Sequence, residues 1–128
     1  MRAGVGWLVS VLAFPVWASG QWQVMTETPA EIISIELSSL ERSDGRANFR
    51  VRHILRAGQV DPGSQRPMRE ILSKRRVECS SRRVATLSRA VFSDNDAMIY
   101  YQAVHPVKAE WQAMTSDDPL FKLVCGLL

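Results

Sequence analysis

Histidine and cysteine, which often carry catalysis or bind metals, are scarce in this sequence: 2 of each occur among 128 residues. His53 and His105 lie far apart, and neither has a Cys, His, Asp or Glu partner at metal-ligand spacing. Cys79 and Cys125 are too distant for the Cys-x-x-Cys pair of thioredoxin-type redox chemistry. The sequence therefore predicts no metal site and no catalysis based on histidine or thiol.

Other signatures of catalysis are also missing. The chain has no glycine-rich phosphate loop, no Gly-x-Ser-x-Gly and no His-Glu-x-x-His. Residues 93–96 lack the glycine and the distal glutamate of an EF-hand calcium loop. Glu36, Glu41 and Glu78 could meet as paired carboxylates across a sheet, but any β protein with 13 acidic residues offers such combinations. We therefore predict that the protein is not an enzyme and has no catalytic residue and no cofactor.

Long apolar runs are absent except at the start of the sequence. Residues 1–20 combine an early arginine, an almost wholly apolar stretch and small residues before a cleavage point, which is typical of a secretory signal. A retained membrane anchor is the alternative, but a serine and a proline interrupt the run, which falls short of the ~20 residues that cross a bilayer. We expect cleavage to leave one domain at residues 21–128 with no transmembrane segment.

The expected compartment bears on the two cysteines. The residue directly after the cleavage point is not a cysteine that could accept a lipid, so we expect a periplasmic or secreted protein. In an oxidising compartment an even cysteine count predicts one bridge, between Cys79 and Cys125. Because the bridge closes a loop in the unfolded chain, it is expected to stabilise the folded protein by roughly 3–4.5 kcal/mol.

Apolar and polar residues alternate with a period of two over much of the remaining chain, which predicts antiparallel strands. Residues 57–67 contain two glycines and two prolines and are predicted to form a loop. Asp44-Gly45 predicts a hairpin between the second and third strands. The strands are predicted at residues 21–25, 32–37, 47–55, 71–79, 84–92 (as one strand or two) and 98–104.

The hydrophobic period changes near the end of the chain. Asp118 before Pro119 predicts an N-cap with proline at the first helical position. The apolar residues that follow, including Leu120 and Val124, repeat at helical spacing. Because a small sheet needs one face covered, the predicted class is α+β: a single antiparallel sheet with a C-terminal helix packed on it and one disulfide.

Charge is distributed unevenly along the chain. Residues 42–89 carry thirteen basic and four acidic side chains, whereas residues 21–41 carry four acidic side chains and no basic one. A basic middle can attract a polyanion, although it can equally be the solvated face of a sheet. Arginine suits recognition because its planar fork grips carboxylate, sulfate or phosphate. The predicted partner-binding residues are Arg50, Arg52, Arg76, Arg82 and Arg83.

Several short motifs occur in one order and resemble the surface-adhesin protein E-like family. The resemblance covers nearly all of the chain after the leader and implies an antiparallel sheet joined to a C-terminal helix by a disulfide, and a role in adhesion to host matrix or plasma proteins. The named adhesin of the family is a lipoprotein, whereas this chain lacks the lipid-accepting cysteine. The motifs are Trp22, Ser34-Ile35-Glu36-Leu37-Ser38-Ser39-Leu40 before Asp44-Gly45, Val77-Glu78-Cys79 before Arg82-Arg83, Trp111, and Leu123-Val124-Cys125.

Together these observations predict an exported, non-enzymatic module of the bacterial envelope. Its expected partner is a protein or a polyanionic macromolecule, and no nucleic-acid partner is expected. Two alternatives come from other classes: a periplasmic enzyme inhibitor or small enzyme, and a structural envelope protein without a ligand. A contiguous exposed group of arginines would favour binding, whereas a deep pocket with convergent carboxylates or His53 would favour catalysis.

Overall fold

A computed structural model of the protein describes residues 21–126, most of which lie in β-strands. The predicted signal at residues 1–20 lies outside the described residues. Among the residues that are described, no helix is long and apolar enough to cross a membrane. The elements are β1 (Trp22–Glu27), β2 (Glu31–Ser43), β3 (Arg46–Val60), β4 (Pro67–Glu78), β5 (Arg83–Phe92), β6 (Met98–Ala103), a 3-10 turn (Pro106–Lys108), β7 (Gln112–Ala113) and α1 (Pro119–Cys125).

The strands form one antiparallel sheet in which β1 to β6 follow each other in the order of the chain. Each strand therefore pairs with its sequence neighbour, as expected for short hairpin connections. After β6 the chain turns back, and β7 pairs with the first residues of β5. The predicted α+β class, with a single antiparallel sheet, a C-terminal helix and one disulfide, is confirmed.

The hairpin between β2 and β3 forms at the predicted Asp44-Gly45. Asp44 has φ 53° and Gly45 has φ 75°, the two positive values that a tight hairpin turn with right-handed strand twist requires. Ser43 pairs directly with Arg46 across this turn. The turn therefore sets the register of β3 against β2 next to the hairpin.

The prediction of a loop over residues 57–67 is wrong for its first part. β3 continues to Val60, and Gln59 and Val60 pair with Met68 and Pro67. An irregularity in the β3–β4 register lies between Ile54 and Gln59, so the strand absorbs Gly58 without ending. The connection itself is limited to residues 61–66.

The core lies on one face of the sheet, where alternate residues of the central strands are buried. Phe49 and Val51 of β3 are almost fully buried beside Ile35 of β2 and Val77 of β4, as the period-two pattern predicts. Val124 of α1 packs into the same cluster. The opposite face of these strands is consequently left to the polar residues of the alternation.

Contacts at both ends fix α1 on the core face. At its start, the Asp118 Oδ1 atom accepts a hydrogen bond of 2.8 Å from the Leu120 amide, as predicted for an N-cap with Pro119 in the first turn. At its end, the Arg42 Nε atom donates to the Val124 carbonyl at 2.7 Å. The Cys79–Cys125 disulfide, also predicted, ties the same end to the residue that directly follows β4.

Candidate partner-binding face

Four basic side chains meet on the face of the sheet opposite the helix. In the register, Arg50 pairs with Lys74 and Asn48 pairs with Arg76, while Arg52 lies two residues along β3 from Arg50. Directly paired residues point to the same side of a sheet. Arg50, Arg52, Lys74 and Arg76 therefore form one group on two neighbouring strands, which we call the basic face.

Arg50 is held by a buried carboxylate. Its Nε and Nη2 atoms lie 2.7 Å and 2.6 Å from the Glu36 Oε1 atom, and Glu36 is only 7% exposed. Since Glu36 pairs with Arg50 across β2 and β3, the ion pair follows from the register. The Arg50 side chain is still 48% exposed, so it can meet a second anion at its outer edge.

A bulge in β2 lies beside this ion pair. The β2–β3 register shifts between Glu36 and Glu41, and the Ser39 hydroxyl fills the gap: it donates to the Glu36 carbonyl at 2.7 Å and accepts from the Arg50 amide at 2.9 Å. These bonds replace ladder hydrogen bonds that the bulge removes. A shallow depression of about 650 Å³ opens next to the bulge, bordered by Arg50, Lys74 and Arg76 and also by the carboxylates of Glu36 and Glu41.

Arg52 stacks on an aromatic ring. Its guanidinium carbon lies 4.4 Å from the centre of the Trp22 ring, within the range of a cation–π contact. Ser34 of β2 pairs with Arg52 and is 2% exposed, so a small side chain lies where the two large ones meet. Stacking engages the face of the guanidinium and fixes its plane, which reduces the conformational entropy that binding would remove.

The other two members differ in how they are held. The Arg76 Nε atom donates to the Asn48 Oδ1 atom at 2.9 Å, which orients a half-buried side chain. Lys74 is exposed and has neither a hydrogen bond nor an ion pair from its side chain within residues 21–126. The basic face thus combines three oriented guanidinium groups with one ammonium group that no carboxylate of the described chain neutralises.

Of the remaining predicted residues, Arg82 lies in the β4–β5 turn and Arg83 is the first residue of β5. Arg82 has φ 53°, and its carbonyl accepts from the Met114 amide at 2.8 Å. The Arg83 Nη2 atom lies 2.5 Å from the Glu78 Oε1 atom, and its guanidinium carbon lies 5.0 Å from the centre of the Trp111 ring. The hydrogen bond from Arg83 is the main cause that lowers the pKa of Glu78. Arg83 thus has an anionic partner within the chain.

Lys74 is the residue of this face that sequence reasoning did not include among the binding residues. Its position two residues before Arg76 already places both side chains on one side of a strand. What the sequence could not supply is the pairing of Lys74 with Arg50. That pairing depends on the length of β3 and on the register irregularity beyond Ile54.

The part of the chain that the structure describes contains no group of three or more His, Cys, Asp or Glu side chains arranged to hold a metal ion. His53 lies on the core side of β3, where its Nδ1 atom is 3.1 Å from the Glu31 Oε1 atom. Among the described residues, His53 therefore has one ion-pair or hydrogen-bond partner, Glu31.

Comparison with known proteins gives a family and a fold. The model of the family described as surface-adhesin protein E matches residues 22–126. Crystal form II of Haemophilus influenzae protein E is similar in structure, with a TM-score of 0.58 and 16% identity over 91% of this chain and 95% of that chain. Protein E from non-typeable Haemophilus influenzae gives a TM-score of 0.55 and 15% identity, over 87% of this chain and 77% of that chain. No curated protein sequence matches the chain.

Proposed function

This chain belongs to the surface-adhesin protein E family, and from that premise we propose that it is an exported, non-enzymatic module that binds an acidic macromolecule through its basic face. Family and fold support an adhesin-like surface protein. The finer elements of the proposal are the place of binding and the charge of the partner. They rest on the residues of the basic face.

The observation that carries the proposal is the mutual position of Arg50, Arg52, Lys74 and Arg76. Their strands are neighbours in the sheet, and their side chains share the side that the helix leaves uncovered. Like charges on adjacent strands repel each other, and within residues 21–126 Glu36 offsets this repulsion at Arg50. A partner with carboxylate or sulfate groups would supply an anion to the remaining members, and arginine can grip such groups through two parallel hydrogen bonds.

The test is retention on a heparin-type matrix as a function of salt. The binding variant replaces Arg52 and Lys74 by glutamine, because neither has a carboxylate partner whose burial would confuse the result. The matched control replaces Arg69 and Lys122 by glutamine, since both are exposed and lie away from the basic face. Exposed charges are screened beyond about 8 Å at physiological ionic strength. Elution of the binding variant at clearly lower salt than both wild type and control is therefore expected.

Equal elution of the two double variants would mean that retention reflects net charge alone, and the proposal would fail. The basic face would then be a solvated sheet surface, and a structural envelope protein would become the better description. Binding that survives in both variants but is lost on changing residues elsewhere would instead favour a different interface.

Export is a separate part of the proposal. Cleavage after residue 20 would leave a chain that starts at Gln21 and carries no lipid, located in the periplasm or outside the cell. The supporting observation is the leader pattern of the sequence. Intact mass of the protein recovered from cell fractions tests it directly: a mass of residues 21–128 with one disulfide is expected, and a mass that includes the leader or acyl chains would contradict it.

A further inference from the structure

A gap on the outer side of β5 forms a second cavity, which has Leu87 in common with the depression beside the basic face. On that side β5 pairs with β7 at Arg83 and Val84 and with β6 from Ser88 onward. Between these two pairings β5 has no strand partner within residues 21–126, although the Leu87 carbonyl accepts a hydrogen bond of 2.9 Å from the Val104 amide. A cavity of about 440 Å³ opens there, bordered by β4, β5, β6 and the segment that follows the 3-10 turn. Its volume falls in the range of small-ligand sites.

Three of the residues that line the cavity are basic. Arg75 pairs with Thr86, and Ser73 pairs with Arg89, so the two arginines project from neighbouring strands on the same side of the sheet. Lys108 of the 3-10 turn also borders the cavity. Arg75 and Arg89 are half-buried, whereas the arginine and lysine residues of a solvated surface would extend into water.

These arginines lack the anionic partners that such burial normally requires. Within residues 21–126 neither Arg75 nor Arg89 forms an ion pair with a carboxylate, and the buried Arg75 Nε atom has no hydrogen-bond acceptor. Arg89 donates from Nη1 to the Tyr100 hydroxyl at 2.8 Å, which orients it without neutralising it. Burial lowers the pKa of Arg75. A desolvated guanidinium group without a partner costs free energy and marks a candidate ligand site.

We propose that this cavity binds an oxyanion-bearing ligand, a carboxylate, phosphate or sulfate group, between the guanidinium groups of Arg75 and Arg89. The anion would meet the terminal nitrogens of Arg75, because the Nε atom is buried away from the cavity, and Arg89 would keep its bond to Tyr100 while its outer edge meets the anion. Glu110 also borders the cavity, and its carboxylate opposes an anion there. This site is distinct from the basic face and does not depend on it.

The experiment is a ¹H–¹⁵N NMR titration of the protein in chloride at constant ionic strength. The probes are inorganic phosphate, sulfate and a short aspartate peptide with free carboxylates, so that the source of the oxyanion can be told apart. Saturable shifts of the amides of Thr86 and Gln102, which line the cavity, are expected with at least one probe. The Arg75→Gln variant should bind that probe at least about ten-fold more weakly, because it removes one partner of a buried charge pair.

Three controls separate this site from alternatives. Arg69→Gln, at an exposed residue outside both sites, should leave the affinity unchanged, while Glu110→Gln should raise it by removing an opposing charge. Without anion, Arg75→Gln should be at least as resistant to heat as wild type, since an unpaired buried charge is lost. Added anion should raise the melting temperature of wild type but not of this variant.

The proposal is overturned if no probe gives saturable shifts at these amides when it is added at up to about 100 times the protein concentration, a range in which millimolar binding would be detected. It is also overturned if Arg69→Gln weakens binding as much as Arg75→Gln, because binding would then reflect net charge and not this cavity. A loss of heat resistance in Arg75→Gln together with unchanged anion binding would assign Arg75 a structural role only.

Discussion

Removal of the Cys79–Cys125 disulfide should detach the C-terminal helix from the sheet and lower the free energy of unfolding by about 4 kcal/mol, the loop-closure value for its sequence separation of 46. The loss is large because small domains have only about 5–15 kcal/mol of stability in total. Unfolding of the variant should also begin locally, at α1. A helix of 7 residues is too short to persist without tertiary contacts.

The assay is urea denaturation of oxidised wild type, reduced wild type and the Cys79→Ala, Cys125→Ala double variant. Reduced wild type keeps both sulfur atoms, so it separates the effect of the cross-link from the packing of Cys125, which is 3% exposed. Hydrogen exchange should show the amides of α1 losing protection before those of β3. A difference below about 1 kcal/mol between oxidised and reduced wild type would refute the reasoning, since Arg42 and the core contacts alone would then hold α1.

Three further predictions follow from single contacts. Arg42→Ala removes the bonds to the Val124 and Leu123 carbonyls and should cost about 1 kcal/mol in urea denaturation; no change would mean that water satisfies these carbonyls equally well. Gly45→Ala should lower the free energy of unfolding by about 1–2 kcal/mol, because φ is 75° at this position. The added methyl group would contact no neighbouring atom, so the cost comes from the backbone alone. An unchanged stability would contradict the hairpin geometry. Arg83 lowers the pKa of Glu78 from 4.5, so their pairing should stabilise the fold above that pH and be lost as the pH falls through the lower folded-state value. Arg83→Gln should flatten this dependence, and an unchanged pH profile would show that the pair contributes nothing.

The architecture was predictable where local patterns and the core agree. Phe49 and Val51 alternate with Arg50 and Arg52, so burial of one set fixes the direction of the other. The Asp-Gly turn and the Asp118 cap are local signals of the same kind, and both are confirmed. Residues 57–60 were misjudged because Gly58 resembles a loop residue. Pairing with β4 across a register irregularity overrides that preference, and such pairing depends on a distant part of the chain.

The candidate sites were less predictable, because they depend on which strands become neighbours. The sequence grouped five arginines by charge and strand parity, whereas the register brings three of them together with Lys74 and places Arg82 in a turn and Arg83 at the start of β5. Arg75 shares the inward side of β4 with Val77, and the structure shows that it borders the cavity beside β5.

The most direct measurement for the central claim is an NMR titration of the labelled protein with a short sulfated oligosaccharide at two salt concentrations. If the basic face binds acidic partners, shifts should concentrate at Arg50, Arg52, Lys74 and Arg76, and the affinity should fall as salt rises. Shifts confined to the helix side of the sheet, or no saturable shift at low salt, would contradict the account.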